Sequence, residues 1–271
     1  MRRFPRRLLL LLFAAVLLPA CGSAPVDLDG WRASEAVPRP EAARRALAED
    51  LARIDALRGA RQLEEARTLA LSLAAEHPED GRIASLASRA ESDGLVLFAG
   101  REKEVRDAAA ASALDYAEHA AARGEDAAPA HAQHAWALGA ATHLQPMGDR
   151  AAHAQRTIET AQAALALDAA EPTALATLAI VHLRLQTLPW IAKLMASGLP
   201  DSSLEEAAAY ARRAVAVRAS RENRLILARC LRAAGDEEAA RKVLDEALHA
   251  AVTFPRDAAL EGTLRAESGL E

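Results

Sequence analysis

Aromatic side chains make up only 3% of this 271-residue chain, and cysteine occurs twice. β-Sandwiches and barrels draw on aromatic and β-branched residues, so this scarcity excludes most all-β folds. Two cysteines cannot staple a disulfide-rich mini-protein. Thirteen glycines and twelve prolines, without a period, exclude a collagen-like repeat. Lysine stands only at 103, 193 and 242, so arginine supplies nearly all the positive charge. No GxSxG, HExxH or glycine-rich phosphate loop is present, so neither an enzyme nor a cofactor is expected. What the chain has is alanine and leucine, both strong helix formers, within a composition 51% hydrophobic and 26% charged. That combination predicts an all-α globular protein.

The first twenty residues read as an address. Arg2, Arg3, Arg6 and Arg7 form a positive head, and Leu8 to Leu18 is an uninterrupted apolar run. The run is about half the ~20 residues that a membrane-spanning helix needs, which is the length of a signal-peptide core. Leu18-Pro19-Ala20-Cys21 follows and resembles the bacterial lipobox, with Pro19 in place of the usual Ala or Ser. The resemblance implies cleavage before Cys21, acylation of its thiol and anchoring in a lipid bilayer through the acyl chains. Gly22, which is not Asp, implies the outer membrane, facing the periplasm. The net charge of the whole chain is −5. Loss of four leader arginines leaves 29 basic against 38 acidic side chains, a net of −9. An acidic body gives no electrostatic case for nucleic acid. Residues 21–40 carry Gly22, Pro25, Gly30, Pro38 and Pro40 and read as a flexible tether. Cys230 is then the only free thiol, read as a small buried hydrophobe.

From residue 41 to 252, apolar positions recur in helical pairs. Leu47, Leu51, Ile54 and Leu57 mark a first helix broken at Arg58-Gly59, and Leu63 to Leu73 marks a second that stops at Pro78. The clearest pair is Leu227-Ala228-x2-Leu231-x3-Gly235-x4-Ala240-x3-Leu244-x2-Ala247. It resembles the tetratricopeptide repeat, in which small residues stand where two helices touch and glycine makes the turn. Further copies run through Leu138-Gly139 with Ala161, Ala164 and Leu165, and through Leu175, Leu178 and Ala179 with Ala207, Ala211 and Ala214. Residues 81–123 form a looser pair, expected to break near Gly94 and Gly100. The expected architecture is a tetratricopeptide-like α-solenoid of about five helical hairpins, because an isolated hairpin cannot bury its apolar face. Residues 253–271 are expected to be a C-terminal tail or cap.

One insertion interrupts the fourth pair at about 187–203, TLPWIAKLMASGLPDSS, with Trp190 and Met195 in a short amphipathic piece between Pro189 and Pro200. Ser202 or Ser203 should cap the next helix, with Glu205 and Glu206 in its first turn. This order, with Asn223, Leu227, Ala228 and Gly235-Asp236, resembles repeat proteins of the regulator-of-microtubule-dynamics type. The resemblance implies architecture rather than tubulin binding. The insertion is either a rim over the concave groove or a plug in which Trp190 fills a gap between repeats. Packing is the preferred reading, because buried aromatics more often pack than recognise.

Function is read by analogy with the repeat family, whose first helices line a groove. The groove residues are then Gln133, Trp136 and His143, Thr173, Ile180 and Arg184, and Glu222, Arg229 and Arg232. Trp and Arg are common partner anchors, although Arg229 and Arg232 also fit a solvated face. His131 and His134 share a helix face, with His143 and His153 nearby in sequence, but no cysteine or HExxH pattern accompanies them, so solvated surface histidines are expected rather than a metal site. The expectation is a membrane-anchored scaffold or adaptor that binds a protein partner in the cell envelope. Two alternatives are the T component of a TRAP-type solute transporter, paired with a solute-binding protein, and an outer-membrane protein assembly factor.

Overall fold

The computed structural model describes residues 41–97, 102–195, 198–254 and 256–269. The leader, Cys21 and the tether lie outside the described residues. Among those described, five helical hairpins follow one another: α1 (Glu41–Gly59) with α2 (Leu63–Glu76), α3 (Gly81–Leu97) with α4 (Lys103–Ala122), and α5 (Ala128–Ala141) with α6 (Arg150–Leu167). Next, α7 (Pro172–Thr187) pairs with α9 (Leu204–Val217) across the short α8 (Trp190–Met195), and α10 (Arg221–Ala233) pairs with α11 (Glu237–His249). A 3-10 turn, Asp257–Leu260, and α12 (Glu261–Ser268) complete the described chain. Along the stack α3 packs on α5, α5 on α7 and α7 on α10. The first helices therefore form an inner layer and the second helices an outer one, an α-solenoid.

Alanine explains the close stacking. Ala228 and Ala240 are fully buried where α10 meets α11, as are Ala161, Ala164, Ala207 and Ala211 in the preceding hairpins. A larger side chain at these crossings would force the helix axes apart. Leucines fill the space between hairpins; Leu138, Leu175, Leu178 and Leu244 are completely buried. Turn chemistry follows the sequence. Gly235 has φ +86°, and the amides of Gly235 and Asp236 donate to the carbonyls of Arg232 and Leu231. That pair of bonds closes the last turn of α10 with a left-handed residue that glycine adopts without steric penalty. Ser203 caps α9 by accepting from the Glu206 amide, and Asp236 caps α11 by accepting from Ala239.

The first helix ends at Gly59, as expected, and Arg61, with φ +64°, takes the left-handed position in the turn that follows. Two other expectations about local structure change. Gly94 does not break α3, which runs through it to Leu97. One glycine weakens a helix by only about 1 kcal/mol. Packing of Ile83, Leu86, Ala87 and Ala90 against the first hairpin outweighs that. The expected break at Gly100 lies outside the described residues. Trp190 does not plug a gap: it is 72% exposed, and Ile191 is 52% exposed. Leu188 and Leu199, at the two ends of the insertion, are the residues that pack on the core. Gln186 closes its base by donating to the Ser202 carbonyl and hydroxyl. The side chain of Met195 lies outside the described residues.

Candidate functional site

The inner layer buries polar and charged side chains in α3. In α3, Ser88, Ser92 and Asp93 are buried, as are Ser85 and Glu91, and Arg89 is partly so, beside the apolar Ile83, Leu86, Ala87 and Ala90. Arg58, at the end of α1, donates from Nε to Asp93 Oδ2 at 2.8 Å, and both side chains are buried. Burial opposes ionisation of Asp93. Arg58, Arg256 and Arg89 outweigh it and hold the carboxyl below its usual range. Arg89 makes no hydrogen bond or ion pair with any described residue. The like charge of Arg58, followed by burial, brings its guanidinium down to about 9. Glu171 caps α7 through the Ala174 amide at 2.6 Å, and burial raises its carboxyl.

The nine sequence-predicted groove residues divide into three sets. Gln133 is not an open groove position. It is buried and donates to the hydroxyls of Ser88 and Ser92 at 3.0 and 2.9 Å, tying α5 to α3. His143 leaves the set because α5 ends at Ala141 and a 3-10 turn, Thr142–Leu144, redirects the chain. Its ring bonds Asp107 on α4 and the Ala140 carbonyl. Thr173 and Ile180 are partly buried on α7, and Arg184 is exposed, with Nη1 3.4 Å from the Gly139 carbonyl.

The remaining four, Trp136, Glu222, Arg229 and Arg232, are contacted by the chain's own C-terminal segment, with Arg229 still exposed. Val252 reaches back to the first hairpin, where its carbonyl accepts from Arg61. The Phe254 ring lies 5.8 Å from the Arg218 guanidinium. Arg256 sits 4.7 Å from the Trp136 ring centre, hydrogen-bonds Glu222 and lies 3.7 Å from Asp93. Buried Asp257 accepts from the Arg221 amide at 2.9 Å. Further on, Glu267 of α12 pairs with Arg229 and Arg232. Leu264, fully buried, seats α12 against Leu225, Ala228 and Leu244. Sequence reasoning missed Arg58, Arg89, Asp93 and Arg256. The first three carried a signal, charge within an otherwise apolar helical pattern. Arg256 carried none, because it belongs to no repeat.

Of the four histidines read as solvated, His134 is the one that is buried, while His143 is exposed. His134 is buried with its Nε2 unpartnered, and burial, with Arg156, lowers its ring to about 4. His182 is also buried, beside Tyr210 at 5.6 Å, and burial lowers it despite Glu206 at 3.5 Å. His131 is tied to Asp126 at 2.7 Å. Among the described residues no three His, Cys, Asp or Glu converge to hold a metal ion. Cys230 is buried, and burial raises its thiol to about 11, far from a reactive thiolate. No helix among the described residues is long and apolar enough to cross a membrane.

Comparison with known proteins agrees with this geometry. A thermophilic tetratricopeptide-repeat protein of Thermus thermophilus, TTC0263, superposes with a TM-score of 0.58 at 16% identity, over 82% of this chain and 96% of that one. MamA aligns with a TM-score of 0.42 at 12% identity, over 83% and 96%. No curated protein matches the chain. The family described as regulator of microtubule dynamics protein 1-3 matches residues 50–268, from α1 through α12. The chain therefore belongs to the regulator of microtubule dynamics protein 1-3 family, in the form of a five-hairpin tetratricopeptide-like solenoid.

Proposed function

We propose that this protein is a lipid-tethered scaffold that holds a protein partner in the cell envelope, with acylated Cys21 as its anchor. Tetratricopeptide-like stacks act by presenting a rigid curved surface. The observation that carries the reading is the exposed pair Trp190–Ile191 on α8, beside the inner-layer helix α7. Large apolar side chains turned outward on a braced loop are typical binding anchors. The insertion then serves as a rim for the inner face. Photo-crosslinking residues placed at Trp190 and Ile180 in living cells should capture the same protein, and one placed at exposed Leu167 on α6 should not. Capture at Leu167 alone, or no capture, contradicts the scaffold. Cys21→Ala should abolish labelling by radioactive palmitate and release the protein from membranes; retained labelling contradicts the tether.

A second reading, the accessory T component of a TRAP-type transporter, is favoured by one feature. A cleft of about 360 Å³ opens among α2, α3 and α4, lined by His77, Pro78, Ser112, Asp115, Tyr116 and His119. It is of a size for a small polar solute. Co-purification with a solute-binding protein, lost on Tyr116→Ala, would support that reading over the first.

A further inference from the structure

Three side chains that hold Arg256 come from three different hairpins: Asp93 from α3, Trp136 from α5 and Glu222 from α10. None lies on the segment that carries Arg256. Asp93 faces the guanidinium at Nε and Glu222 at Nη2, and the guanidinium carbon lies over the indole ring. A guanidinium presents a fork of N–H donors to both carboxylates while its flat face lies on the ring, and it takes such aromatic positions more often than an ammonium does. The arrangement is largely withdrawn from solvent, with side-chain exposures of 7% for Asp93, 20% for Glu222 and 16% for Arg256. Burial works against the charge on Arg256, yet Glu222 and Asp93 outweigh it and push the guanidinium upward. Asp93 remains neutralised on its other side by Arg58.

The resident cation is delivered by a stretch without regular structure. Residues 251–254 run from the end of α11 and belong to no helix, and the 3-10 turn begins at Asp257. Asp257 and Leu264 anchor that turn and α12 independently of Arg256. The Arg256 side chain can therefore leave its seat while α12 keeps its own.

We propose that Asp93, Trp136 and Glu222 form an arginine receptor on the inner face, occupied in the free protein by Arg256, and that the partner bound there presents an arginine from an extended segment in its place. This rests on the protein-binding reading above and names the chemistry of the partner. An intramolecular competitor lowers the apparent affinity of an incoming arginine by the fraction of time the seat is filled.

The test titrates a fluorescent peptide of residues 252–260 into the full chain and into the chain carrying Arg256→Ala. The peptide should bind the variant at least tenfold more tightly than the original. A peptide with alanine at the arginine position should bind neither, and adding Trp136→Ala to the variant should abolish binding. Arg256→Gln, which keeps more of the side-chain packing, replaces Arg256→Ala if circular dichroism shows that the latter does not fold. Equal binding of arginine and alanine peptides, or no binding to any folded variant, overturns the receptor. If cellular capture at Ile180 and Trp190 is unaffected by Arg256→Ala and by the peptide, the receptor fails and the scaffold stands. Peptide binding without any captured partner supports the receptor and removes the scaffold.

Discussion

His134 shows how one residue departs from its surface reading. Its position on α5 faces the core between hairpins, and its neutral ring is preferred there because burial penalises the charged form. Its folded pKa, about 4, lies below the ordinary histidine value of 6.5. In that window the unfolded chain binds a proton that the folded chain refuses, so stability falls as pH drops from 6.5 toward 4. Above 6.5 both states are neutral, and the contribution is flat. Urea denaturation at pH 7 and pH 5 should show a loss of about 2 kcal/mol from this group. His182, also lowered by burial, adds to the same slope. His134→Leu should flatten much of it; an unchanged slope would mean that the ring is not buried neutral.

Elements were legible in the sequence wherever one local rule decided them. Gly235 announced its turn because only a left-handed residue closes a helix that way, and Pro78 and Ser203 announced a stop and a start. Gly235→Ala should destabilise the fold by about 1 kcal/mol in thermal or urea unfolding, since alanine at φ +86° is strained. No loss would mean that the turn is not held left-handed. Legibility failed where a distant contact decided. Gly94 looked like a break because the packing that sustains α3 comes from another hairpin. Trp190 looked like core because aromatics usually are, while Leu188 and Leu199 took that role. The groove residues were read from helical faces alone, so Trp136 and Glu222 were found without the residue that joins them.

At the scale of the molecule, five hairpins stack because alanine lets helices approach, and the stack is then closed by its own last segment. Val252 touches the first hairpin and Arg256 the second, third and fifth. A solenoid is ordinarily a chain of nearest-neighbour contacts; here a segment after the last repeat links its ends across the inner face. That link joins Asp93 and Glu222 through Arg256, and it leaves Trp190 and Ile191 of α8 exposed. Spin labels on the exposed neighbours Ala60→Cys and Ala251→Cys, which leave the Arg61–Val252 bond intact, with Cys21→Ser and Cys230→Ala to prevent labelling elsewhere, measure it by pulsed electron resonance. A closed stack predicts one short distance of roughly 20 Å, whereas four steps of 8–10 Å between inner helices would part the two positions by about 40 Å and contradict the closure.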